Sequence, residues 1–580
     1  MSFERNSYLT TRAMKNFLIA SILTMAVQQF NITLNGIIVS HLVGPDALSA
    51  INLYQPVSLA VTSFATLFGI GATIIASRAI GRREMDKVDK ILSTAVTSIL
   101  VVGVLLTICV LACQDAVVSL ICHEERLEPY FRSYLLAMIS FAVVSMMNVV
   151  TNQMVSIDGQ PQLVTKSVSI SAVINMLLVI LFAWGLNLGI ASAAFSTISA
   201  QVVNILLLSK YIFSKRSSYN INPIRSFSMS YLGANFKQGL PLIISNMVLM
   251  IMFLMLNNII QDKQGADGIF VMSVCVNLLS LGMMFANGMG STALSVGGFL
   301  NGQRDYQGLR ILISQCMKLL VGSLLVIAVV VQVYPDFITL LFGANSQELI
   351  AYTNSSLRIF VWMLPTILLV IFLANVYQML GYLALTPLIV LTFPLVLIPS
   401  MYVWGDMGDG SLIWYAFPET GLLVLLLAFV ITEVIRYRKK DVAHLTLVPT
   451  KDVENCYDIS VEANRESMAA SLENLDTYLA GLGIGSELQL AVRHCIEEVT
   501  LNIVEHSGKN MEHHYFDIHT NFMDGVLEVI VKDDGRAFDP VALPEEERGS
   551  GLKILHGLCS NIDYKFMYGQ NLTIMSWTIN

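Results

Sequence analysis

Charge is what this chain has least of. Only 13% of its 580 residues are Asp, Glu, Lys or Arg, 55% are apolar, and the mean hydropathy is +0.65. An ordinary soluble domain carries about 25% charged residues, so that class is excluded for the chain as a whole. Cysteine is sparse too: eight residues, scattered, with no C-x-x-C pair, which excludes a disulfide scaffold and a zinc module. Cys122-His123-Glu124-Glu125 reads as a polar loop between apolar runs. No G-x-x-x-x-G-K-[ST] loop is present, which argues against pumping by that phosphate-binding motor. Basic residues are scarce at one end: residues 441–580 hold 9 Lys and Arg against 23 Asp and Glu, while residues 1–440 hold 25 against 19. An acidic tail argues against nucleic acid as a partner, because phosphate contacts are made by Lys and Arg.

Long uncharged runs take the place of charge. None of the four charged residue types occurs in 16–43, 47–77 or 268–303. A hydrocarbon core about 30 Å thick needs about 20 apolar residues per helix, so each run suffices for a span, and the full pattern predicts twelve. The first run is too long for a cleavable signal peptide and follows Arg5, Arg12 and Lys15, so it reads as a retained helix. Basic clusters recur on one side only, at Arg78/Arg82/Arg83, Lys210/Lys215/Arg216, Arg304/Arg310 and Arg436/Arg438/Lys439/Lys440. The positive-inside rule then predicts a multi-pass cell-membrane protein with both termini and the tail in the cytoplasm.

The spans repeat. Leu34-Asn35-Gly36-Ile37-Ile38 recurs as Leu256-Asn257-Asn258-Ile259-Ile260, Gly69-Ile70-Gly71 as Gly288-Met289-Gly290, and Trp184-Gly185 as Trp404-Gly405. The near-constant offset equals six spans, and an even number per copy predicts two parallel six-helix repeats, about 15–213 and 238–436, facing one cavity. Amides inside the spans, among them Asn35, Gln55, Asn175, Asn257, Asn375 and Gln378, either join helices by hydrogen bonds or line a polar, uncharged substrate cavity.

With Gly44, Pro56, Gly69-x-Gly71, Gly81-Arg82-Arg83, Asp158-Gly159-Gln160-Pro161 and Gly185-x-x-x-Gly189, residues 15–436 resemble the multidrug and toxin extrusion (MATE) transporters. The resemblance implies antiporter-type export of amphiphilic, often cationic xenobiotics driven by H⁺ or Na⁺. One position departs from it: Asn35 stands where the family commonly has a carboxylate, and the predicted seventh and tenth spans have no Asp or Glu in their cores. An intramembrane carboxylate is a costly residue kept for moving ions, so the coupling ion is not readable.

After a linker at 437–455, residues 456–580 alternate helical and strand patterns, with Asp524-Gly525 as a hairpin signal. The whole is predicted to be an all-α membrane domain of twelve spans (1–436) followed by a cytoplasmic α+β sandwich. Glu498, Asn502 and Glu505 fall on one helical face. A carboxylate there suits a general base and an amide suits Mg²⁺. Asp533 follows a strand and can accept from an adenine amino group, Gly535 permits a tight turn, and Gly549-Ser550-Gly551 can open a helix on phosphate. In order and spacing these resemble the boxes of the GHKL ATPases, with Gly569-Gln-Asn-Leu-Thr573 as the last, and the short lid resembles the anti-sigma-factor serine kinases. The resemblance implies ATP and Mg²⁺ as cofactors, Glu498 as general base, Asn502 as Mg²⁺ ligand, and Asp533, Gly535, Gly549, Gly551 and Thr573 around the nucleotide. The functional expectation is an efflux transporter for a small molecule in the lipid bilayer. Its tail would be a regulatory, serine-kinase-like domain acting on a cytosolic protein. Alternatives are a membrane sensor with an anti-sigma-type kinase output and a lipid-linked sugar flippase.

Overall fold

The computed structural model describes residues 5–42, 50–51, 53–122, 128–222, 225–341, 346–407, 411–450, 456–506, 514–523, 525–539, 555 and 557–579. The chain forms two compact units. One joins Leu18–Phe299 to Cys316–Leu447; the other gathers Met1–Phe17, Leu300–Gln315 and Val448–Asn580.

The first unit is helical. Among the described residues nine helices are long and apolar enough to cross a membrane, from Pro56–Gly81 to Leu412–Arg438. A tenth span results if Glu128–Ile139 and Ala142–Ile157, bent by 53° at their junction, count as one. A 35-residue helix, Tyr8–Leu42, precedes them. The helical run Met229–Thr292 is broken at Gly265, whose φ of 63° and ψ of −150° no helix accommodates. Membrane helices gain nothing from the hydrophobic effect against each other and pack through small residues instead. The repeated glycines serve that end in both copies. A Cβ on Gly69 would lie 2.7 Å from Val150 Cγ2 and one on Gly288 2.7 Å from Ile22 Cγ1. The tightest crossing pairs Gly71 with the Met229–Thr292 run: a Cβ on Gly239 would fall 1.9 Å from the Leu67 carbonyl oxygen, and one on Gly71 2.3 Å from that of Asn235.

The second unit is built on a five-stranded antiparallel sheet: β1 (Tyr457–Glu462), β2 (Tyr515–Met523), β3 (Val526–Asp533), β4 (Asn561–Met567) and β5 (Gln570–Thr578), in the order β1-β2-β3-β5-β4. Period-two alternation gives it two faces. Ile459, Val461, Phe516, Ile518, Val529, Val531, Met575 and Trp577 form a core with Leu472, Leu475 and Leu479 of the helix Arg465–Gly481 and Val492, Cys495 and Ile496 of the helix Ser486–His506. Asn464 caps the first of these helices by accepting from Ser467 N, as a short polar side chain does best. β4 and β5 are joined through Tyr568 and Gly569, both at positive φ (57° and 76°), the geometry that suits a two-residue hairpin to strand twist.

An antiparallel sheet with helices on one side commonly turns its other face to water. Here that face is covered. Ser460, Asp517, His519, Lys532 and Gln570, which alternate with the core residues, are all buried. Their partners are the two outlying segments of the unit: Gln570 Nε2 donates to Leu9 O at 2.6 Å, Asn6 N to Ser460 Oγ at 2.9 Å, and Asn521 Nδ2 to Gln303 O at 2.8 Å. The rings of Phe17 and Tyr568 meet edge-on with centroids 5.7 Å apart.

Candidate functional site

Inside the helical unit lies a cavity of about 390 Å³, lined by Met25, Met252, Met283, Met284, Phe393 and other apolar side chains, with Gln28, Gln29, Ser280 and Asn287 as its polar groups. No described lining residue is charged. A second cavity of about 180 Å³ is bounded by Thr24, Gln28, Asn148, Asn152, Gln153 and Ser156. Behind it Asn204, 2% exposed, donates through Nδ2 to Asn148 Oδ1 at 2.7 Å and Asn152 Oδ1 at 3.0 Å and accepts from Ser167 Oγ at 2.6 Å.

The six amides predicted to face substrate fare differently. The side chains of Asn35, Gln55 and Asn257 lie outside those described. Asn175 is buried and donates to Asn31 Oδ1 at 3.2 Å; Asn375 returns a bond to Ile371 O one turn back, at 3.0 Å. Gln378 is fully buried in a reciprocal pair with Gln238: each side-chain nitrogen donates to the other's main-chain carbonyl, at 2.8 and 3.1 Å. Asn175 and Gln378 thus join helices, Asn375 bonds within its own, and none of the three is among the residues that line either cavity. The sequence signal for the larger cavity was methionine, of which the chain has 28. Its flexible, polarisable side chain fits surfaces that must adapt to varied apolar shapes.

In the second unit the predicted nucleotide residues gather on the helix-covered face of the sheet. Glu498 and Asn502 stand one turn apart on the Ser486–His506 helix, half-buried, with Asn502 Nδ2 3.4 Å from Glu498 Oε1. Glu505 turns away from them to pair with Arg465 at 2.7 Å. Asp533 ends β3 and is 7% exposed; its Oδ1 accepts from Gly535 N at 2.8 Å and Asn571 Nδ2 at 2.9 Å. Burial pushes its carboxyl up, against those two bonds and nearby His514. Thr573 is buried opposite Val531 in the β3–β5 ladder. Gly549 and Gly551 lie outside the described residues. The unpredicted organiser is Asn571: paired with Asp533 in register, it also donates to Arg536 O at 3.1 Å and accepts from Tyr564 O–H at 2.6 Å. It thereby fixes the Asp533–Gly535 turn from the neighbouring strand. A carboxylate held through one oxygen, with an amide and a second carboxylate on the adjoining helix, is a donor set that fits an Mg²⁺-nucleotide, since Mg²⁺ takes oxygen ligands.

The opposite face carries an ion-pair net that no sequence motif announced. Arg5 Nη2 lies 2.8 Å from Asp305 Oδ2 and 3.4 Å from Asp517 Oδ2, and the same guanidinium pairs with Asp458. Lys532 Nζ reaches the same Asp305 oxygen at 2.8 Å. His519 Nδ1 is 3.6 Å from Asp458 Oδ2, beside Cys456 and Asn521. Burial alone would depress the imidazole, but Asp458, Cys456 and Asp305 outweigh it and push it up to about 10. The Asp305 carboxyl, although buried, is held well below the usual carboxylate range by Arg5 and Lys532. Asp305, Asp458 and His519 are close enough together to hold a cation, but Arg5 and Lys532 already neutralise the carboxylates.

A bundle of membrane-length helices around a methionine- and amide-lined cavity, on one chain with a two-helix, five-stranded α+β unit, defines a polytopic membrane protein with an appended ATPase-type domain. The MatE family matches over residues 20–181 and 241–403, and a histidine kinase-like ATPase domain matches over 461–577. The two MatE segments make up more than half of the chain, which therefore belongs to that family and carries a histidine kinase-like ATPase domain after it. Among curated proteins, the multidrug export protein MepA of Staphylococcus haemolyticus is 24% identical over 220 residues, 38% of this chain and 48% of the relative. That of Staphylococcus saprophyticus is 22% identical over 262 residues, 44% and 56%. The chain thus spans about half the length of the curated relatives it matches. An outward-facing multidrug resistance MATE family transporter of the MOP superfamily superposes with a TM-score of 0.70 at 21% identity, over 76% of this chain and all of that one. A MOP superfamily transporter from Pyrococcus furiosus gives 0.69 at 22%, over 74% and 96%. The fold of the membrane domain is that of the MATE transporters.

Proposed function

We propose that the chain is an efflux transporter that exports amphiphilic small molecules through the 390 Å³ cavity, with an ATP-binding tail that regulates it. The cavity carries this reading: methionines and one aromatic supply adaptable apolar contact, and four uncharged polar groups suffice to orient a ligand. The multidrug export proteins matched above support the substrate class. Twelve spans follow if Tyr8–Leu42 and the part of Met229–Thr292 before Gly265 join the ten helices already counted. They form two parallel six-helix repeats within 1–436, with both termini and the tail in the cytoplasm. In the tail, from 456 onward and after a linker at 437–455, the sandwich is of GHKL type and resembles the anti-sigma-factor serine kinases. Asp533 takes the adenine amino group, Asn502 holds Mg²⁺, Glu498 is the base for a hydroxyl of a cytosolic protein, and Gly535, Gly549, Gly551 and Thr573 surround the nucleotide. Bound ATP supplies a phosphoryl group, and Mg²⁺ neutralises its phosphates.

The test is drug accumulation in a pump-deficient bacterial host producing the wild-type chain, Ser280→Trp and Asn502→Ala. Ser280 lines the cavity, and an indole there would project into it. Lower accumulation with wild type, restored by Ser280→Trp, is expected. Equal accumulation in all three hosts, with ATP still bound by the protein, would replace the transporter by a membrane sensor with a kinase output.

A further inference from the structure

Residues 532–534 are held from two directions. Lys532 points to the outer face of the sheet and bonds Asp305, just before the helix Tyr306–Val333. Asp534 pairs with Arg12, in the second turn of the helix Tyr8–Leu42, and its Oδ1 lies 3.3 Å from His514 Nδ1. Between them Asp533 shares the opposite face with Val531, where adenine is proposed to bind. Arg5 ties the system together, contacting Asp305, Asp458 and Asp517 at once.

From this arrangement we infer that nucleotide occupancy at Asp533 and the seating of the starts of these two helices on the sheet form one coupled equilibrium, through which the ATPase domain acts on the membrane domain. The inference rests on the reading of Asp533 as the adenine contact. Asp533 is paired on both sides in the sheet, with Phe516 and Asn571, and Lys532 and Asp534 are its sequence neighbours, so a displacement of its main chain is passed to both tethers. The tethers cannot stretch by degrees. Lifting Asp305 away would leave Lys532 buried without that carboxylate, while Arg5 keeps Asp458 and Asp517, and a buried ion pair half broken costs more than either a seated or a fully hydrated arrangement. Two discrete arrangements are what a switch needs. Both helices run on into the other unit, Tyr8–Leu42 past Leu18 and Tyr306–Val333 past Cys316. A change of seating is therefore delivered along continuous backbone. Arg12 and Asp305 are positioning residues in this scheme, acting on the nucleotide through Asp533.

Coupling of this kind is reciprocal, so it is measurable from either end. The full chain in lipid nanodiscs is titrated with a fluorescent trinitrophenyl ATP analogue as wild type, Arg12→Gln, Asp305→Asn and Asp533→Asn. Amide hydrogen exchange of residues 5–17 and 300–315 is followed in the wild type with and without ATP and Mg²⁺. The expected result is a change in affinity of about fivefold or more for Arg12→Gln and Asp305→Asn, loss of binding for Asp533→Asn, and altered exchange of both segments when nucleotide binds. Exchange indifferent to nucleotide, in a wild-type chain that binds it through Asp533, overturns the coupling and leaves the ATP site standing. Binding that is absent, or unchanged in Asp533→Asn, overturns the adenine reading and the inference with it. The exchange arm needs no substitution, so it stays decisive even where a variant fails to fold.

Discussion

Asp305 bears on two buried cations at once, and its removal exposes what a buried ion pair is worth. Replacing it by Ala leaves Arg5 and Lys532 without their shared oxygen, and breaking such a pair costs about 3–5 kcal/mol. The Asp305→Ala chain should melt well below wild type in detergent-solubilised thermal unfolding, whereas Arg465→Ala, which removes the exposed partner of Glu505, should shift the midpoint little. The net also sets a pH dependence. His519 is pushed up to about 10, chiefly by Asp458 against the depressing effect of burial. A group raised from its ordinary 6.5 stabilises the fold fully below that value and stops doing so as pH passes through about 10. Asp305 and Asp458 are held below 3.8, so their contribution fades only in acid, where Asp517, pushed up by burial, offsets part of the loss. The melting midpoint should fall between pH 6 and pH 10 by more in wild type than in His519→Gln; equal slopes would remove His519 from the account. None of this was legible in the sequence. Asp458, Asp517, His519 and Lys532 alternate with apolar residues just as the solvated face of a strand does, and Arg5 and Asp305 are distant from them along the chain. The placement of Glu498 and Asn502 on one helical face was legible from their four-residue spacing, and that of Asp533 at a strand end from the alternation before it. Asn571 was not, since its role depends on the pairing of β3 with β5.

At the scale of elements, glycines at helix crossings, Gly69, Gly71, Gly239 and Gly288 among them, explain why helices of such uniform hydropathy choose specific neighbours. Hydropathy locates a span but does not say which face meets which partner. That information lies in where a side chain is missing. A Cβ at Gly239 would stand 1.9 Å from the Leu67 carbonyl oxygen, a backbone atom that cannot rotate away, so Gly239→Val should separate the two helices and abolish both monodisperse purification and the proposed export. Gly322, around whose Cβ position nothing lies within 4 Å, should accept Ala with little effect on either. The strands of the tail were readable from alternation and the Asp524-Gly525 signal. The break at Gly265 falls where the charged stretch Asp262–Asp267 already separates two uncharged runs, and the structure adds that a single backbone conformation makes it.

On the scale of the whole molecule, the linker at 437–455 suggests a tail that can be cut away, yet residues 5–17 and 300–315 belong to the same compact unit as residues 448–580. A chain ended after Lys440 loses β1, β2 and β3 and with them Asp458, Asp517 and Lys532, the partners of Arg5 and Asp305. It also uncovers Leu9 and Phe17, each at most 1% exposed in the full chain. Burying apolar surface contributes about 25 cal/mol per Å², so the cut removes hydrophobic as well as ionic support from the start of the first helix. The shortened chain should therefore accumulate to lower levels and melt earlier than full-length Asn502→Ala, which changes only the half-buried face of one helix. Quantitative immunoblotting of membranes together with thermal unfolding of both proteins checks this. If the two match in yield and midpoint, the segments 5–17 and 300–315 are stable without the sheet, and the tail is an appendage. If the truncated chain is the weaker, loss of export on truncation measures support of the membrane domain, and only Asn502→Ala reports on what the nucleotide does.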